Sequence, residues 1–248
     1  MDLTIPADLF GNDFLIASLA VLAASLIRGF SGFGSVLITA PMLSLVWGPT
    51  VGVPVAALIE VVPAVQLTPQ AIRTAHWPTA WAMGLPAVAL LPVGSLVLLN
   101  APGEEMRRVI AAIVLLLVIV LWVGWRYRGP RGLVPSGVVG AMGGALAGAT
   151  GMGGPPAIIY LMSGDDAAAS VRANMIAYFT IIFVGILITY GLLGLITTEV
   201  IWRTGLLMPI YVAGVAIGTK MFGLASERTF RNIALATLAA SSTWVLFA

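Results

Sequence analysis

Apolar residues run along this chain in long stretches, with the polar positions gathered between them. A membrane-crossing helix needs about 20 apolar residues. Six stretches qualify, at roughly 50–72, 79–100, 105–125, 167–194, 200–222 and 230–247. Two further apolar regions, 13–47 and 133–163, are each interrupted by glycines. The first break reads Gly29-Phe30-Ser31-Gly32-Phe33-Gly34 and the second Gly148-Ala149-Thr150-Gly151-Met152-Gly153-Gly154-Pro155-Pro156. Gly29 matches Gly148, Ser31 matches Thr150, Gly32 matches Gly151 and Gly34 matches Gly153, each pair 119 positions apart. The arms on either side of a break hold roughly 13–18 residues and reach about 20–27 Å at 1.5 Å per residue. They read as re-entrant hairpins or as pairs of short spans.

In either form a broken hairpin returns the chain to its starting side, so a hairpin plus three spans crosses the membrane an odd number of times. The expected fold is therefore an all-α polytopic membrane protein of two inverted-topology repeats, each a broken or re-entrant helical hairpin plus three transmembrane helices. Repeat 1 covers 13–125 and repeat 2 covers 133–247, joined by a cytoplasmic linker at 126–132, within a single membrane domain, 1–248. Charge placement agrees. With the N-terminus outside, Arg73, Arg126, Arg128, Arg131, Arg172, Lys220, Arg228 and Arg231 fall at inner ends, against Arg107, Arg108 and Arg203 at outer ends. That asymmetry follows the positive-inside rule.

Composition changes the picture little. The 248 residues are 60% hydrophobic and 9% charged, where soluble domains carry about 25% charged residues. The chain reads as an integral, multi-pass protein of a bacterial inner membrane. The absence of cysteine excludes thiolate chemistry, and no basic stripe suits nucleic acid. No basic region precedes the first apolar run, so no signal peptide is expected. Trp47, Trp77, Trp81, Trp122, Trp125 and Trp202 sit near span ends, as an interfacial belt would.

The candidate chemistry lies at the breaks. A helix restarts near Ser35 and again near Ala157, and the first amides of a helix have no intrahelical partner. With the helix dipole, these amides favour an anion. If the repeats are inverted, the two tips approach from opposite faces and form one midplane pocket. The expected substrate-binding residues are Arg28, Ser31, Gly32, Phe33, Gly34, Ser35, Thr150, Gly151, Met152, Gly153, Gly154 and Asn174. The competing reading of the glycines is close helix packing alone. Arg28 has Ala147 at its place in the second repeat, so its charge is contributed once. Glu60, about eleven residues into its stretch, is a candidate to carry a coupling proton; pairing with Arg28 is the alternative. His76 reads as a loop residue, and Asp165 and Asp166 as helix N-caps. No catalytic set, metal cluster or cofactor motif stands in the sequence, so no enzyme, metal or cofactor is expected.

These motifs resemble a known family. Arg28-Gly-Phe-Ser-Gly-Phe-Gly-Ser35, followed by Pro41-Met42-Leu43, resembles the first signature of the TauE/SafE membrane permeases, and Gly148 to Pro156 resembles the second. The resemblance covers essentially the whole chain, although Phe33 and Ser35 replace small residues of the commoner first motif. It implies export of sulfite or an organosulfonate such as sulfoacetate, and in some members movement of other small anions. The expected partners are that anion, membrane lipids and a coupling proton, with sodium as the alternative ion and a homodimer left open. A passive anion channel and a membrane-embedded lipid-phosphate hydrolase are the competing functions.

Overall fold

The computed structural model describes residues 11–31, 34–61, 65, 69, 73–123, 127–130, 132–164 and 166–221. Among these the ordered elements are all helices: α1 Asn12–Ser31, α2 Ser35–Trp47, α3 Pro49–Ile59, α4 Trp77–Asn100, α5 Gly103–Val123, α6 Leu133–Thr150, α7 Gly154–Leu161, α8 Ala168–Leu192 and α9 Thr198–Met221. Among the described residues, five stretches are long and apolar enough to cross a membrane: Asn12–Gly29, Trp77–Asn100, Leu133–Thr150, Ala169–Leu192 and Thr198–Lys220. The protein is a multi-pass helical membrane protein.

Local chemistry sets several boundaries. Asp13 in the first turn of α1 and Arg28 in its last complement the helix dipole. Gly48, at φ +81°, separates α2 from α3, and Pro49 opens α3 where its missing N–H is harmless. Pro41, Pro54, Pro86, Pro92 and Pro209 lie inside helices, which membrane helices tolerate when neighbours satisfy the freed carbonyls.

Three expectations need correction. The arm after the second break is shorter than 13–18 residues: α7 has 8, about 12 Å of helix, too short to cross. Its end is closed by Met162 N–H donating to Ile158 O at 2.9 Å and by the Ser163 hydroxyl donating to Tyr160 O at 2.7 Å, a local bond that competes with helix continuation. The stretch 50–72 is not one uninterrupted helix either. α3 ends at Ile59 with Glu60 in a turn, and Pro63 has no N–H to bond the Ile59 carbonyl. The start of α8 is capped by Ala167, one residue past Asp166, with no side-chain cap; Asp165 lies outside the described residues. So do the stretch 230–247 and linker residues 126 and 131.

The chain divides into two compact units, neither of which follows the sequence repeats. One comprises Met1–Ile59, Ala101–Trp122 and Leu195–Ala248; the other, Glu60–Asn100 and Val123–Gly194. In the first, α1 packs on α2 and α9, and α3 packs on both α2 and α9. In the second, α4 packs on α6 and α8, and α7 on α6 and α8. Thus α4, from the first half of the sequence, packs with helices of the second half, and α9 does the converse.

The two crossings are built alike. A Cβ on Gly29 of α1 would overlap the Val215 carbonyl of α9 and lie 2.9 Å from Thr219 N; one on Gly148 of α6 would overlap the Leu91 carbonyl of α4 and lie 2.8 Å from Ser95 N. Val215 and Thr219 follow Leu91 and Ser95 by the same 124 positions. The Ser95 hydroxyl donates to Leu91 O at 3.0 Å and the Thr219 hydroxyl to Val215 O at 2.8 Å. Small residues thus let two backbones touch, as helices in lipid require when no hydrophobic effect drives them together.

Candidate functional site

The first break follows Ser31, the last residue of α1; Gly32 and Phe33 lie outside the described residues. Gly34 takes the left-handed conformation, φ +95°, and caps α2 without a side-chain bond. A Cβ there would meet nothing within 4 Å among the described residues, and the left-handed backbone by itself favours glycine. Leu37 N–H donates to Gly34 O at 3.1 Å, and α2 leaves the break with its positive dipole end at Gly34. Ser35 is fully buried, and its hydroxyl is hydrogen-bonded to the Tyr211 hydroxyl of α9 at 3.1 Å. Arg28, half-buried, stands in the last turn of α1.

The second break is differently made. Here Gly151, not Gly153, is left-handed, at φ +74°, and its N–H donates to Ala147 O at 2.9 Å to finish α6. The Thr150 hydroxyl donates to Leu146 O at 2.7 Å and accepts from Met152 N–H at 3.3 Å. Its proton is committed, so Thr150 shapes the turn. The Met152 side chain is buried. A Cβ on Gly153 would lie 2.8 Å from Ala147 Cβ and 2.9 Å from Gly143 O, while one on Gly154 would lie 3.0 Å from Phe179. α7 starts at Gly154, earlier than Ala157, and Pro155 and Pro156 bring no N–H. Two of the four amides that a helix start offers are therefore missing.

Two tyrosines of α8 bind this break, and reasoning from sequence passes over both. The Tyr190 hydroxyl shares its proton between Ala147 O and Gly148 O, each at 3.1 Å. The Tyr178 hydroxyl donates to Gly153 O at 3.3 Å, occupying space that a side chain at Gly143 would fill. Both tyrosines are fully buried. A signal existed, because a phenol deep in an apolar span must find a partner.

Asn174 is buried on α8, and its Oδ1 accepts from His76 N–H at 2.7 Å. His76 in turn opens α4: its carbonyl accepts from Thr79 and Ala80 N–H, and its ring Nδ1 is hydrogen-bonded to the Thr79 hydroxyl at 2.9 Å. Asn174 therefore anchors the start of α4, and His76 is more than a loop residue. Asn174→Ala should lower unfolding stability by about 1 kcal/mol, whereas Asn174→Asp, which keeps the acceptor, should stay near wild type in a thermal melt. A wild-type melt for the alanine variant would remove this role.

The other end of α2 was also missed. The Arg203 guanidinium lies 4.2 Å over the Trp47 ring and pairs with Glu199 at 2.6 Å. Arg107 Nε donates to Ser44 O at 3.0 Å and pairs with Glu104 at 2.8 Å. Arg107 thus answers a carbonyl in the last turn of α2, while Arg203 lies over the ring of its last residue. Trp47 takes part in this cluster as well as marking a span end.

Residues 17–245 match the family described as sulfite exporter TauE/SafE. The chain belongs to that family. The matched stretch contains both breaks and nearly all described helices, and it makes this a membrane-transporter chain. No curated protein and no solved structure is found to match it. Within the TauE/SafE framework, the structure separates the predicted site residues by task. Gly34 starts α2 in a left-handed conformation with no side-chain cap. Thr150, Gly151, Met152 and Gly153 are packed into the turn that ends α6.

Proposed function

We propose that this TauE/SafE chain is a secondary transporter exporting a small sulfur oxyanion, sulfite or an organosulfonate, by alternating access. The observation that carries the reading is the family match over 17–245, which contains both helix breaks. At the first break, Arg28, Ser31 and the loop to Ser35 would supply positive charge and donors, with α2's dipole adding to them. No described residue would meet an added Cβ on Gly34 within 4 Å, which suits close approach of a ligand to backbone. At the second break the contribution is smaller, because Pro155 and Pro156 remove amides. Glu60, half-buried in the turn after α3, is the group we assign to the coupling proton.

Reconstitution tests the proposal directly. Purified protein in liposomes should take up sulfite or sulfoacetate saturably, in preference to sulfate and simple carboxylates, and accumulate it under a pH gradient. Glu60→Gln should keep anion binding and lose accumulation. Currents without accumulation would replace the transporter with a channel. Phosphate release from a polyprenyl diphosphate would favour the hydrolase. A bound anion at a hundred times its dissociation constant should add about 2.7 kcal/mol of stability, so a melt against the same panel identifies the substrate independently.

A further inference from the structure

An anion cannot settle beside the end of α6 unless something answers the carbonyls there. A helix terminates in outward-facing C=O groups worth about half a negative charge. Unwound carbonyls and half-helix C-termini are also what transporters use to coordinate sodium. At the second break three such oxygens stand close together in sequence: Ala147 O, Gly148 O and Gly153 O. All three are occupied by side chains of one helix. Ala147 O accepts from both Gly151 N–H and Tyr190, Gly148 O accepts from Tyr190, and Gly153 O accepts from Tyr178.

The geometry points to Tyr178 and Tyr190 as positioning residues that set the charge selectivity of the second break. Their protons cover the oxygens that would otherwise ligate a cation, so the break repels sodium and tolerates an anion. This rests on the small-anion reading above and deepens it. Two features place the device at this break. At the 119-position offset, Tyr178 and Tyr190 correspond to Ile59 and Ala71, which have no hydroxyl. Ala147, whose carbonyl Tyr190 takes, corresponds to Arg28. At the end of α1 the Gly29 carbonyl accepts instead from the Thr219 hydroxyl of α9 at 3.2 Å, so the phenol belongs to the end of α6.

The test compares sodium chloride with N-methylglucamine chloride at equal concentration. The wild-type melting midpoint should be the same in both. Tyr190→Phe, which bares Gly148 O and leaves Ala147 O only its Gly151 N–H without changing shape, should gain a saturable sodium-dependent rise. Its half-stabilising sulfite concentration should increase about tenfold, the factor that corresponds to 1.4 kcal/mol. Tyr178→Phe bares one oxygen and should show the same changes at smaller size, which keeps the comparison available if Tyr190→Phe does not fold. Tyr160→Phe is the control: it loses a buried bond to the Ser136 hydroxyl, 2.9 Å, and should show no sodium response. Folded Phe variants that ignore sodium, or a wild-type protein that responds as they do, would overturn the proposal. A wild-type protein that binds no sulfite or sulfonate would instead sink the anion reading, and the sodium comparison would still decide the clamp.

Discussion

Gly148→Ala and Gly29→Ala should each destabilise the protein by about 1–3 kcal/mol, the cost of forcing an extra methyl group into a packed interior. In both cases the new Cβ would overlap a carbonyl oxygen of the facing helix, Leu91 for Gly148 and Val215 for Gly29. No flexible side chain can give way, so α4 must part from α6, or α9 from α1. Because the two crossings match position for position, the two losses should be similar. Gly205→Ala, on an open face of α9, should have no such penalty and supplies the baseline, since alanine is the better helix former. Thermal melts of the three purified variants decide the matter. An unaffected Gly148→Ala would mean that the helices do not approach backbone to backbone.

Gly34→Leu should leave a folded protein that transports at least about tenfold less, a loss equivalent to about 1.4 kcal/mol. The left-handed backbone at Gly34 makes any side chain cost about 1–2 kcal/mol, which a folded domain can bear. No described residue would meet an added Cβ there within 4 Å, so leucine projects into the volume assigned to the substrate. Gly153→Leu behaves differently. There the added atoms meet Ala147 and Gly143, and the expected result is poor folding, which reports nothing about a binding site. Normal transport by a folded Gly34→Leu would remove the first break from the substrate path.

Much of the architecture was legible in the chain, because hydropathy and glycine placement act locally. The starts and ends of α4, α5, α8 and α9 lie within a few residues of the predicted spans. Both breaks are where the glycines put them. Helix partnership was not legible, since it depends on which small residues meet across a crossing. Gly94 facing Ala145 and Gly218 facing Leu26 only acquire meaning once α4 and α9 are seen to pack away from their own sequence halves. The matched glycines also concealed a difference. Any glycine can adopt positive φ, and sequence alone does not say that Gly34 does so in one break and Gly151 in the other. The tyrosine clamp escaped because each phenol reaches a carbonyl at least 25 residues away, a distance at which no short motif exists.

The exchange of α4 and α9 also imposes a schedule on biosynthesis. The Thr219 hydroxyl closes on Gly29 O across 190 residues. At a synthesis rate of about 5–20 residues per second, α1 waits roughly 10–40 s for its partner after leaving the ribosome. Throughout that interval the small-residue seam around Gly29 faces lipid or the insertion machinery. Helix α4 waits a much shorter time, because α6 follows it by about 33 residues. A ribosome stalled before α9 would therefore leave α1 packed on α2 alone, with its small-residue seam uncovered.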